Sequence, residues 1–505
     1  DQGWDALREE ILARQIELGV VPEGTQLAPK PELIQEWDEL SDDEKRLFGH
    51  QVEVFAAYIA MTDYEIGRVI DAIAATGQLD NTLVFLVYGD NGTSAEGGLN
   101  GMFSEMTYFN NVQETVPDML EKIDEWGGPE TYPHMAAGWA VAFDTPYEWT
   151  KQVASDHGGT KVGMAVHWPA GIQTRGELRT QFHHVIDIAP TILEAAGLPE
   201  PVEVNGVRQH PMDGVSMVYS FGAADAPDQH TTQYFEMFGN RAMYQDGWFA
   251  RTIHRAPWEP QPGKPLGPLA EDTWELYDTR KDFSLVNDLA AQNPDKLAEL
   301  QALFMEEAER NHVLPIDDRV FERFVASAVG RPDLMGGRTS LTLAQGMTGM
   351  TENVFLDIKN KSKTITAEIE VPQDGGNGII IAQGGRFGGW ALYVKDGVPA
   401  YDYNFLGMER FTVAGTEALP PGKATVRFEF AYDGDGQGKG GTGTLFVNDQ
   451  RVSEGRIERT QPRVFSADET ADVGIDLATP VVETIGAEAE SRFTGRIPSV
   501  TVEVH

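Results

Sequence analysis

The sequence predicts an α/β domain followed by an antiparallel β-sandwich. Up to about Leu334, stretches with apolar residues at helical spacing alternate with short, wholly apolar runs. Beyond Arg338 the apolar residues recur at every second position. Between the two blocks, Pro332 and Gly336-Gly337 interrupt the helical pattern, and the boundary is set at 335/336. The chain has 505 residues, 41% of them hydrophobic and 10% aromatic, enough for large cores, so a disordered chain is excluded.

The clearest helix begins at Ser41, with Glu44 three residues on as a capping box. Phe55, Tyr58, Ile59, Ile66, Val69, Ile70 and Ile73 then recur at helical spacing, and Gly77 stands where a C-terminal cap belongs. Leu83 to Val87 is apolar on both faces, the pattern of a strand covered by helices on both sides. A second such strand is expected near Gly163–Trp168 and a helix around Ile186–Ala196, closed by Gly197. In the second block, Ile365, Ala367, Ile369 and Val371 alternate with polar residues, as do Val426, Phe428 and Phe430. Asp396-Gly397 and Asn448-Asp449 each separate two such runs as hairpin turns.

Charge and cysteine content narrow the function. There are 39 Lys+Arg against 79 Asp+Glu, a net charge of −40, which disfavours nucleic acid and anionic lipid as partners. No Cys is present, which rules out a disulfide framework, a thiolate metal site or a cysteine nucleophile within these residues. No run approaches the length of a membrane span. The chain opens DQGWDALREE, without an initiator Met or a signal-type apolar stretch, and reads as cut from something longer.

The best site candidate is Tyr88-Gly89-Asp90-Asn91-Gly92, directly after the apolar strand, because the carboxyl ends of strands form the functional edge of an α/β sheet. Asp90 and Asn91 offer a carboxylate beside an amide carbonyl, hard oxygen donors suited to Ca²⁺ or Mg²⁺. The same residues are also ordinary turn chemistry after a strand.

Here the chain resembles a known family. LDNTLVFLVYGDNG resembles the segment of sulfatases, in the alkaline-phosphatase superfamily, that carries the last two metal ligands. TPYEWTKQVASDHGGTK and VGMAVHWPAGI resemble the family's lysine segment and the strand after it. HHVIDIAPTILEAAGLP, MDGVSM, NRAMYQDGWFA and WELYDTRKDFSLVNDLA follow in the family's order, covering most of residues 40–300. The likeness is to the C-terminal portion of a long bacterial arylsulfatase. It implies an alkaline-phosphatase-like α/β fold, a mixed sheet covered by helices and incomplete at its N-terminus, over residues 1–335.

By that resemblance Asp90 and Asn91 would be metal ligands for Ca²⁺, with Mg²⁺ as the alternative, and Asp90 would lie close to the nucleophile. Lys151 would place its ammonium on the sulfate ester, although a solvated surface lysine is its plain alternative. Among His134, His157, His167, His183 and His184, which read as structural or rim positions, His157 beside Gly158-Gly159 is the candidate for substrate binding. The family's Glu-Gly-Gly is replaced by Asp156-His157-Gly158-Gly159. Sulfatases draw their nucleophile, formylglycine, from a Cys or Ser in Cys/Ser-x-Pro-x-Arg. This chain has no such motif. The expected partners are therefore a small-molecule or glycan sulfate ester and an upstream sulfatase segment bearing the nucleophile, and the chain is expected to be inactive alone.

Residues 336–505 include GGRFGGWALYVKDGVPAYDYNF and TLFVNDQRV, which resemble concanavalin-A-like jelly rolls. Trp390, Tyr401 and Tyr403 would there either stack on a sugar or fill the sandwich, with packing favoured. The loop Asp433–Gly438 has a calcium-loop flavour, against the plainer reading of a glycine-rich hairpin. Two other readings stay open: a phosphate or phosphonate ester hydrolase of the same superfamily, and a non-catalytic carbohydrate-binding protein.

Overall fold

Trp4 organises the first core of this computed structural model, which describes residues 2–259, 265–324 and 329–505. It lies on α1 (Gly3–Glu17) with its ring edge-on to Trp37 at 4.9 Å and to Trp139 at 5.6 Å. Edge-to-face aromatic contacts of this kind add to the large area such rings bury. α2 (Asp42–Ala75) begins as its sequence predicts. The Ser41 side chain accepts from the Glu44 amide while Glu44 accepts from the Ser41 amide. Gly77, at φ +73°, follows its last turn. Of the 34 residues of α2, only Leu47, Phe48 and Gln51 are buried.

The strand after α2, β1 (Val84–Tyr88), forms where the sequence places it. Its surroundings differ from expectation. The residues Val84 to Val87 are only half-buried and Tyr88 is exposed. After α3 (Ala137–Phe143), β2 (Gly163–His167) pairs with β1 antiparallel, Val84 facing His167 and Tyr88 facing Gly163. Among the described residues the two strands form a sheet of their own, with no further strand on either edge. The doubly covered strand read from the apolar run is thus corrected: the residues are apolar enough to be covered, but the described residues do not cover them. α4 (Ile188–Ala196) ends on Gly197 at φ +67°.

A second sheet in this region is antiparallel, in the order β3 (Thr232–Met237), β4 (Asn240–Gln245), β5 (Trp248–Thr252), β6 (Trp274–Asp278). α5 (Pro294–Arg310) lays Leu300, Phe304 and Ala308 against Met243, Ala250 and Leu276 of this sheet. No helix of the described residues is long and apolar enough to cross a membrane.

The C-terminal region is sheet-rich, and its strands pair antiparallel. Its strands are β7 (Ser340–Leu343), β8 (Lys363–Val371), β9 (Gly378–Gly385), β10 (Gly388–Lys395), β11 (Val398–Phe405) and β12 (Glu409–Ala414). They continue with β13 (Gly422–Tyr432), β14 (Lys439–Val447), β15 (Gln450–Arg459), β16 (Ala471–Val473) and β17 (Arg496–Val504). One sheet runs β15-β14-β13-β8-β17-β7 and the other β12-β11-β10-β9-β16. Their inner faces share one core, in which Tyr401 of one sheet stacks on Phe428 of the other with ring centroids 3.6 Å apart. Both hairpin turns have left-handed central residues, Asp396 and Gly397 at φ 51° and 81°, Asn448 and Asp449 at 48° and 63°. That backbone matches the twist of the strands they join.

By contact, the chain divides into residues 1–101 with 135–319, and 102–134 with 320–505. The sequence reading placed one boundary at 335/336 and had no excursion. Met106 explains why residues 102–134 group with the second unit: its side chain lies in the sandwich core.

Candidate active site

β1 delivers the chain to Gly89, whose φ of +82° turns it out of the strand. Asp90 then stands exposed and Asn91 half-buried. The next residue fixes where this loop goes. A Cβ at Gly92 would fall 1.8 Å from the Gly158 carbonyl oxygen and 2.8 Å from the Lys151 nitrogen, so only glycine fits. The close approach lets the Gly92 amide donate to the Gly159 carbonyl at 3.2 Å and the Lys151 amide donate to the Thr93 carbonyl at 3.2 Å. The two segments singled out from sequence, Asp90-Asn91 and Lys151, are thereby stitched side by side. Asp144 reinforces the first of them, accepting from the Thr93 amide at 2.9 Å and its hydroxyl at 2.7 Å. Burial pushes the Asp144 carboxyl up to about 8 despite these donors.

Glu96, which the sequence reading did not single out, faces Lys151. Its carboxylate lies 3.1 Å from the Lys151 Nζ and accepts from Gln152 Nε2 at 2.7 Å and the Ser94 hydroxyl at 2.5 Å. Burial alone would raise its pKa, but the donors Ser94 and Gln152 and the Lys151 ammonium reverse the sign and hold it below the ordinary value. Glu96 is therefore an anion facing a half-exposed ammonium. Its only sequence signal was a second acid six residues beyond Asp90.

The Asp156-His157-Gly158-Gly159 segment is scaffold. Asp156 is fully buried, accepts from the Gly158 amide at 2.7 Å, and forms an ion pair with Arg251. Arg251 also meets Glu275 at 2.7 Å and Glu148 at 3.3 Å. Burial opposes its charge, but Asp156 and the neighbouring acids hold it protonated. The His157 ring lies 5.5 Å from Tyr147 and 5.0 Å from Phe249, and its Nδ1 is shielded from water without a hydrogen-bond partner. Burial, then Lys161 and Arg251, push its pKa well below the ordinary value, so the imidazole is neutral. The structure joins the Gly92-Thr93 end of the Asp90-Asn91 loop to the backbone at Gly159 and Lys151, and it packs the His157 ring against Tyr147 and Phe249.

Asp90 and Asn91 are hard oxygen donors, and in chemistry they fit a divalent cation such as Ca²⁺. They are two donors and not a full set. Among the described residues, no group of three or more His, Cys, Asp or Glu converges on a metal position. Trp139 and Tyr147 are buried packing residues. In the sandwich, Trp390, Tyr401 and Tyr403 fill the core, and the Asp433 carboxylate is occupied by Arg456.

With this geometry in place, comparison with known proteins gives a consistent class. Residues 19–198, which contain Asp90, Asn91, Glu96 and Lys151, match the sulfatase family model. Curated relatives agree. An uncharacterized sulfatase of Schizosaccharomyces pombe is 31% identical over 346 residues, 65% of this chain and 55% of that protein. An arylsulfatase of Klebsiella aerogenes is 28% identical over 240 residues, 47% of this chain and 48% of that protein. The chain thus spans about half the length of these relatives. A solved structure of Ps i-CgsB is 18% identical over 65% of this chain and 60% of that one, with a TM-score of 0.35. The family match and both curated relatives are thus with sulfatases.

Proposed function

We propose that this chain supplies part of the active site of a sulfuric ester hydrolase of the arylsulfatase type, acting on aryl or glycan sulfate monoesters. The observation that carries the reading is the stitching of the Asp90-Asn91 loop to the Lys151 segment inside the stretch that matches the sulfatase family. Asp90 and Asn91 would hold the divalent ion, Ca²⁺ by preference. Lys151, its ammonium held by Glu96, would bind the ester's sulfate oxygens and offset charge that builds on them and on the leaving oxygen. An upstream formylglycine would supply the nucleophile for attack on sulfur. The neutral His157 and the Asp156–Arg251 pair keep the loop in shape behind Lys151.

The test compares the chain alone with the complete product of its reading frame, using 4-nitrophenyl sulfate and 4-nitrophenyl phosphate, with and without chelator. The complete product should hydrolyse the sulfate and lose activity with chelator, and Asp90→Ala or Lys151→Ala should each lower turnover by about a hundredfold or more. The chain alone should be inactive. Preference for the phosphate, or no sulfate turnover by a product shown by mass spectrometry to carry formylglycine, would overturn the reading.

A further inference from the structure

Glu96 holds a fixed negative charge beside the ammonium of Lys151, whose side chain is 32% exposed against 17% for Glu96. The carboxylate is not a solvated counter-ion free to swing aside. Its Oε1 accepts from Gln152 Nε2 at 2.7 Å, while its Oε2 accepts from the Ser94 hydroxyl at 2.5 Å and lies 3.1 Å from Lys151 Nζ. Gln152 is held in turn: its backbone sits at φ +74°, and its carbonyl accepts from Asn240 Nδ2 at 3.0 Å. Asn240 is fully buried, donates also to the Arg255 carbonyl, and accepts from the His254 and Arg255 amides. Glu96 is thus anchored, through Gln152, to a side chain tied down on every side. Burial opposes its charge, but Ser94, Gln152 and the Lys151 ammonium keep it ionised.

A fixed carboxylate at this place weakens the hold of Lys151 on every anion, and the penalty grows in proportion to the ligand's charge. A sulfate monoester carries a single negative charge, whereas a phosphate monoester of the same shape carries close to two at neutral pH. We propose that Glu96 is a specificity-determining residue, whose fixed charge disfavours dianionic monoesters at Lys151 relative to monoanionic ones. The inference rests on the sulfatase reading for the role of Lys151, and adds to it a residue that sorts ligands by charge. Discrimination of this kind comes from an element that repels the competitor as much as from contacts to the preferred ligand. The net charge of −40 acts in the same direction over the whole surface, but salt screens it, while a partly buried charge such as Glu96 is screened much less.

Two unreactive isosteres, benzenesulfonate and phenylphosphonate, separate charge from shape. Their dissociation constants are measured by titration calorimetry on the complete product of the reading frame, at about pH 8.5, above the second pKa of a phosphoryl group. Glu96→Gln, which keeps a side chain able to bond with Gln152 and Ser94, should tighten phenylphosphonate relative to benzenesulfonate by about tenfold, the scale of one unit charge a few ångströms beyond the ammonium. Glu96→Ala should move the ratio in the same direction and serves if the first variant does not fold. Glu96→Asp, which keeps the charge, and Ser94→Ala, which removes a hydrogen bond but no charge, should both leave the ratio near that of the wild type. An equal change for the two ligands in the neutral variants would make Glu96 an orienting group only and overturn the inference, as would a shift of the same size in Ser94→Ala. Turnover of 4-nitrophenyl sulfate is read separately: turnover with an unmoved ratio sinks this inference alone, whereas no turnover by a product bearing formylglycine sinks the sulfatase reading on which it rests.

Discussion

β8 in the C-terminal region and β1 in the N-terminal one are both strands of largely β-branched and aliphatic residues, but they end up in different states. β8 lies between β13 and β17 and buries Ile365, Ala367, Ile369 and Val371 in a shared core. Among the described residues β1 has one neighbour and no fully buried residue. The difference teaches that an apolar pattern states what a strand needs to bury, while burial itself depends on which partners are present. Two buried carboxylates make the same point electrostatically. Asp187 accepts from His230 Nδ1 at 2.8 Å and from the His184 and Val215 amides at 2.9 and 2.8 Å. Burial would raise its pKa, but these donors and His183 pull it well below the ordinary range. The Asp476 carboxylate accepts from the Val481 amide through Oδ2, its Oδ1 has no partner among the described residues, and Glu469 and Asp472 lie near. Burial first, then those acids, push it up to about 8.

The contrast can be broken most forcefully in the sandwich core. Trp390→Ala should cost about 3–5 kcal/mol in chemical denaturation, since Trp390 is fully buried and the cavity cannot be refilled. Arg251→Met, which leaves Asp156 buried without its cation, should cost about 3 kcal/mol by the same measurement. Acidity should sharpen the carboxylate comparison. Because the Asp476 pKa is raised on folding, its contribution is present in acid and declines as pH climbs through about 8. Asp476→Asn should therefore remove a loss of stability between pH 5 and pH 8.5. The depressed Asp187 contributes above the ordinary carboxylate range and fails as pH drops below it, so Asp187→Asn should flatten the acid side instead. Smallest of all, Val69→Ser on the exposed face of α2 should change the stability of the isolated chain by less than about 0.5 kcal/mol, although Val69 continues the same apolar stripe as Phe55 and Ile66.

Local rules were legible in the sequence wherever neighbours in the chain decide the outcome. The Ser41 capping box, the Gly197 cap and both hairpin turns follow from adjacent residues. So did the position of Asp90-Asn91 at the end of β1. What escaped depends on contacts far along the chain. The Arg251–Asp156 pair joins residues 95 apart, the Glu96–Lys151 pair crosses two loops, and the burial of His157 is set by Phe249 on a later strand. Periodicity also could not tell that the apolar face of α2 would stay uncovered.

Residues 102–134 carry a consequence for how such a chain can be taken apart. Met106 packs inside the sandwich, and Asn110 donates to the Val464 carbonyl at 3.0 Å while accepting from the Arg463 and Val464 amides. A gene fragment beginning at residue 336 would encode a sandwich lacking one of its own core side chains and the amide that ties down its 463–464 loop. The second unit is spliced from two stretches of chain, so no single cut, whether by a protease, a truncation or a recombination event, can hand it over whole. Residues 135–319 lie between those two stretches, so a contiguous piece of chain that carries the whole second unit also carries them.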